Sequence, residues 1–235
     1  MFVPLHDNTP LRLIRFQYAT GLIIAINTLV TIYMQTLSGD SAEMYFALSF
    51  GAIPALITDH IPTVEGIQAV AEPLTLLTYM FLHAGWLHLI SNMLFLWVFA
   101  DNVEDAFGHL GFVAFYLLCG AAAGLAHAFM LPTSQAPLIG ASGAVSGVLA
   151  AYLVLFPKAR VWVLLFMRVP LRIPAYWALI GWILFQFFSL VVASPDDEVQ
   201  VAWWAHIGGF MAGLLLTLLL RNRLMERLAR VPLGS

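Results

Sequence analysis

One cysteine, few charges and no cationic residue in three of its connecting segments set the limits of this 235-residue chain. Cys119 stands alone inside an apolar run, so no disulfide can form within the chain, and cysteine usage gives no redox compartment. Charged residues make up 10% of the sequence, against about 25% in soluble domains. Hydrophobic residues make up 61%, and the mean hydropathy is +0.89. An ordinary water-soluble domain is excluded, and the expectation is an integral membrane protein with the lipid bilayer as its surroundings and no nucleic-acid partner.

What is present is a series of apolar segments, predicted as spans at about 11–37, 74–100, 110–131, 142–156, 175–193 and 203–220. The first is too long for a signal-peptide core and reads as a retained helix. Residues 38–72 form a long acidic connection, of which 45–57 is apolar enough to lie in the membrane interface. The arm before Pro10 and the basic connection 158–174 read as non-helical links. The predicted architecture is therefore an all-α membrane protein, a single polytopic domain over 1–235.

Six spans place both termini on one side, and charge tests the count. All ten cations fall at the start of the first span (Arg12 and Arg15), in 158–172 or in the tail from Arg221, whereas the connections after spans one, three and five have none. By the positive-inside rule both termini are cytoplasmic, and the location expected is a bacterial inner (plasma) membrane.

Chemistry concentrates in three spans. Gly140-Ala141-Ser142-Gly143-Ala144-Val145-Ser146-Gly147 puts a glycine-flanked serine at the start of the fourth. With Pro157 at the inner interface, a helix from Gly143 covers roughly 21 Å, leaving Ser142 roughly 9 Å below the outer surface of a core about 30 Å thick. His206, in Ala205-His206-x2-Gly209-x3-Gly213, follows the Trp203-Trp204 belt and reaches a compatible depth. Gly209 and Gly213 clear a face on which the sixth helix can approach Gly143 and Gly147. In the second span His88 and Asn92 share a helix face, and with the Ser142 N–H they could form an oxyanion hole. His83, five residues from His88 and without a carboxylate or a further His pair, does not make a metal site, and no cofactor is expected. Asp101, Glu104 and Asp105 are assigned to tying the second and third helices together. The soluble hydrolase elbow Gly-x-Ser-x-Gly is absent, since Ala144 stands in its fifth place.

Taken together, His83-x4-His88-x3-Asn92, Glu104, Gly140-x-Ser142-Gly143 and Ala205-His206-x2-Gly209-x3-Gly213 resemble the rhomboid intramembrane serine proteases over about residues 74–220. The resemblance implies a compact six-helix bundle with a short central fourth helix and a Ser142/His206 dyad without an acidic third member. It also implies oxyanion stabilisation by His88, Asn92 and the Ser142 backbone, with His83, Gly140, Gly143, Gly209, Gly213 and Glu104 in support, and transmembrane proteins as substrates. The chain differs from better-known members in having Ser146, not an aromatic residue, one turn after the nucleophile. Two other functions remain open at this point. A transporter or channel would use the same buried polar groups, but the inner halves of the spans hold no relay; a non-catalytic helix-binding relative would not need both Ser142 and His206.

Overall fold

The computed structural model describes residues 2–37, 42–62, 67–165, 168–192 and 202–230. In chain order its elements are β1 (Phe2–Asp7), α1 (Tyr18–Ile32, continued by a π-helical turn, Tyr33–Leu37), α2 (Ala42–Phe50), α3 (Pro54–Ile57), α4 (Glu72–Thr78, continued by a 3₁₀ turn, Tyr79–Phe81), α5 (Trp86–Phe107), α6 (His109–Met130), α7 (Ser142–Leu155), β2 (Arg160–Leu165), β3 (Val169–Pro174), α8 (Ala175–Val192) and α9 (Trp203–Ala229). The protein is mostly helical. Among the described residues, Tyr18–Thr36, His109–Met130 and Trp203–Ala229 are each long and apolar enough to cross a bilayer, and α4 with α5 makes a fourth candidate bent by 85°.

That bend corrects the expectation of an unbroken second span. The apolar run is continuous in sequence, but the helix stops at Phe81 and restarts at Trp86. Gly85, at φ 156° and ψ 173°, takes a backbone conformation essentially reserved for glycine, which ends any helical continuation. The first helix also starts later than expected, at Tyr18, and α9 runs past Leu220 to Ala229, making the basic tail helical.

The all-α expectation is corrected by a three-stranded antiparallel sheet in the order β1-β2-β3. Residues read as non-helical links pair as strands, with Val161 opposite Asp7 and Ile173, and Val163 opposite Pro4 and Leu171. The signal was the alternation Arg160-Val161-Trp162-Val163, whose two valines point inward and are buried while Arg160 and Trp162 are exposed.

At this end of the molecule carboxylates organise the backbone. Glu104, fully buried, accepts hydrogen bonds from Ala19 N (2.9 Å), Thr20 N (2.7 Å) and the Thr20 hydroxyl (2.6 Å), and His109 Nδ1 lies against it as well. Asp105 accepts from the backbone N–H groups of Arg12, Leu13 and Ile14. These are the orphan donors at and before the start of α1, held by charge-assisted bonds. Glu104 and Asp105 therefore tie α5 chiefly to the first helix and its approach, not to the third as the sequence suggested. Arg12 also donates to the Leu228 carbonyl, and Arg227 to that of Phe107, so the two ends of the chain meet on one side of the bundle.

Helix α7 is only 14 residues long and lies against α5, α6, α8 and α9, with every residue from Gly143 to Tyr152 buried. Small residues allow this. A Cβ on Gly209 would run into the Gly143 carbonyl, and one on Gly213 into the Gly147 backbone, so α9 touches α7 main chain to main chain. Helix α6 crowds the same two glycines, since a Cβ on Gly143 would sit 2.6 Å from Ala123 Cβ and one on Gly147 2.5 Å from Cys119 Sγ.

Candidate active site

The close approach of α7 and α9 determines what meets at their ends. Ser142 is the first residue of α7 and stays partly exposed; His206 lies in the first turn of α9 and is buried. His206 Nε2 is 2.8 Å from Ser142 Oγ. Because Ser142 opens the helix, its own N–H and those of Gly143 and Ala144 have no acceptor within the helix. The second serine is differently placed. Ser146 is fully buried and its hydroxyl donates to the Ser142 carbonyl at 2.7 Å, so it is occupied within its own helix.

His88 and Asn92 arrive from α5. Gly140 takes φ 122°, a conformation other residues rarely adopt, and its N–H donates to the Tyr79 carbonyl at 2.9 Å. A Cβ there would lie 2.7 Å from His88 Cε1 and 3.8 Å from Ser142 Oγ. Gly140 thus serves twice, in making the turn and in clearing room for the imidazole at the side of the serine. Asn92 is buried one turn along α5 and donates one amide hydrogen to the His88 carbonyl at 3.1 Å. His83 is not on a helix with His88; it lies in the break between α4 and α5, buried, with its ring edge-on to that of His88 and centroids 4.9 Å apart.

The structure therefore brings together Ser142, His206, His88, Gly140 and, behind His88, His83 and Asn92. Gly143, Gly209 and Gly213 act one layer below by allowing the helices to touch. Glu104 is not part of this group: it lies twelve residues beyond Asn92 on α5, about 18 Å away along the helix. A cavity of about 500 Å³ lined by Asp7, Thr9, Trp97 and Asp101 among others belongs to that distant end too.

Three side chains to which the sequence reading gave no place beside His206 surround the imidazole. Trp182 from α8 and Trp203 from α9 each have ring centroids 6.0 Å from that of His206, tilted by 40° and 85°. They supply the aromatic walls that the position of Ser146 does not. The third is Gln186 of α8, whose Oε1 is 3.1 Å from His206 Nδ1. A lone amide in the apolar run Trp182–Phe188 was its signal, because such a group in a bilayer seeks a partner on another helix.

Comparison with known proteins gives a match to a Rhomboid domain over residues 70–223, more than half of the chain. The chain is 37% identical over 100 residues to Rhomboid-like protein 11, chloroplastic, of Arabidopsis thaliana, covering 40% of this chain and 35% of that protein. It is 28% identical over 235 residues to RHOMBOID-like protein 5 of the same plant, covering 93% and 72%. To Rhomboid protease GluP of Bacillus subtilis it is 28% identical over 194 residues, covering 83% and 33%. The chain thus spans about a third of the length of two of these relatives.

Proposed function

The chain belongs to the rhomboid family of membrane proteins, and on that premise we propose that it is an intramembrane serine endopeptidase acting on transmembrane segments of other proteins through Ser142 and His206. The observation that carries the reading is the 2.8 Å separation of Ser142 Oγ and His206 Nε2 at the open end of α7. In the proposed reaction Nε2 takes the hydroxyl proton as Oγ attacks the scissile carbonyl carbon. His206 then returns that proton to the leaving amine, and water hydrolyses the acyl-enzyme by the same exchange. The negative oxygen of each tetrahedral intermediate is stabilised by the Ser142 N–H, the His88 ring and the second amide hydrogen of Asn92. Such donors act strongly where water is scarce.

Substrate choice follows from the surroundings. A peptide bond inside a helix is shielded by its own ladder, and unwinding it in hydrocarbon leaves polar groups unsatisfied at several kcal/mol each. Segments with Gly, Pro or Ser near the outer end of a span unwind at least cost, and these are the proposed substrates. The proposed topology has six crossings with both termini cytoplasmic, in keeping with the meeting of the two chain ends. The relatives include a chloroplast protein and a bacterial one, so family likeness does not single out the bacterial inner membrane.

Purified protein in detergent, incubated with a model single-span protein, tests the reading. Wild type is expected to cleave it and Ser142→Ala to be inert. Replacing a Gly or Pro near the cut with Leu is expected to slow cleavage, and undiminished cleavage would contradict the unwinding argument alone.

A further inference from the structure

The resemblance that carries the proposed function supplies a serine and a histidine, and leaves the second nitrogen of the imidazole without a named partner. In this chain it has one. Gln186 is 4% exposed, His206 is 8% exposed, and Oε1 of the first is 3.1 Å from Nδ1 of the second. We propose that Gln186 is a positioning residue that fixes the tautomer and orientation of His206, completing a hydrogen-bonded series Ser142–His206–Gln186 drawn from three helices.

The argument is one of donor and acceptor. A carbonyl oxygen can only accept, so Nδ1 facing Oε1 carries the proton and Nε2 is left with its lone pair toward the Ser142 hydroxyl. The reverse arrangement, with the amide N–H donating to Nδ1, would put the ring proton on Nε2 and leave no base facing the serine. The position of Gln186 is therefore decisive for which state His206 holds. Aqueous hydrolases commonly give this task to a carboxylate, and some give it to an amide. At this depth the amide suits the solvent. An ionised carboxylate taken into hydrocarbon carries a large desolvation cost, whereas an amide offers the same acceptor without a charge.

The surroundings account for the need. With Ser146 folded back on its own helix, Ser142 is the only residue of α7 that hydrogen-bonds the ring among the described residues; its other neighbours, Trp182 and Trp203, limit tilt but cannot select a tautomer. Trp182 and Gln186 are four residues apart and so share one face of α8. That face is what α8 contributes to the site. His206 is consequently held in its reactive state only while α8 lies against α9.

This inference rests on the protease reading, and the experiment separates the two. Wild type, Gln186→Leu and Gln186→Glu are compared for kcat and KM on the model substrate, and for the imidazole ¹⁵N resonances of His206, identified by their loss in His206→Ala. The expected result is an Nδ1–H tautomer in wild type and a shift away from it in Gln186→Leu. That variant should lose roughly 10²-fold in kcat, the scale of a misplaced reacting group, with KM within about two-fold. Gln186→Glu, which keeps an acceptor oxygen at the same reach but brings a charge that is costly to bury, should keep the Nδ1–H tautomer and recover part of the rate lost in Gln186→Leu. An Nε2–H tautomer in wild type, an unchanged tautomer in Gln186→Leu, or equal losses in the two variants would overturn the proposal. If wild type cleaves nothing, the protease reading fails by itself, and the tautomer comparison still decides whether Gln186 holds His206.

Discussion

The two ends of α5 handle buried polarity in opposite ways. Toward the end that meets both chain termini, Glu104 and Asp105 sit buried among backbone N–H groups, with Arg12, Arg227 and the three-stranded sheet close by. Toward the other end, Ser142, His206 and Gln186 are joined by hydrogen bonds, with His88 and Asn92 of α5 nearby and no carboxylate hydrogen-bonded to any of these five among the described residues. Charge is used where several donors converge on each carboxylate and the chain must be anchored. Neutral groups are used where the proposed reaction moves a proton. An ion beside Ser142 would be solvated poorly and would hold its neighbours too firmly, whereas neutral donors and acceptors can exchange a proton at small cost.

Substitutions at the two ends should therefore fail differently. The largest effect on stability is expected for Glu104→Ala, which strips Ala19, Thr20 and His109 of a shared partner. About 3–5 kcal/mol of stability should disappear, read as a lower unfolding midpoint in detergent, with residual activity following the folded fraction. Asn92→Ala should do the reverse, lowering kcat by about 10²- to 10³-fold while the unfolding midpoint stays near wild type. A wild-type rate would remove Asn92 from the oxyanion role. Gly213→Ala touches both properties, since its methyl would meet the Gly147 backbone and push α9 from α7; a loss of about 1–3 kcal/mol and a matching fall in cleavage rate are expected. Gly181→Ala is the control: no atom lies within 4 Å of a Cβ there, so helix propensity should raise stability by up to about 1 kcal/mol. Smallest of all should be Ser146→Ala, which removes one internal hydrogen bond and leaves cleavage in place.

The same contrast shows what could be read from the residues alone. The glycine spacing in Gly143, Gly147, Gly209 and Gly213 announced two helices in backbone contact, because only packing explains small residues at that period in an apolar run. His88 was paired with Ser142 on chemistry, as a hydrogen-bond donor that shares a helix face with Asn92. The break before Trp86 was not, since Phe81-Leu82-His83-Ala84 continues a hydrophobic pattern that helix and extended chain share; His83 was placed on a helix it does not occupy. The sheet was missed because composition drew attention to spans, although Arg160-Val161-Trp162-Val163 alternates with a strand's period. Gln186 shows the commonest gap in such a reading. A single polar residue has no periodicity, and only the arrival of another helix gives it meaning.

The account depends most on Ser142 being the residue whose hydroxyl is activated. Reaction of the purified protein with a fluorophosphonate, followed by peptide mass mapping, examines this directly, because the reagent bonds only to a serine oxygen that a neighbouring base has made nucleophilic. The expected result is one adduct on Ser142, absent in His206→Ala and formed more slowly in Gln186→Leu. An adduct on Ser146, or none on a folded wild-type protein, would contradict it.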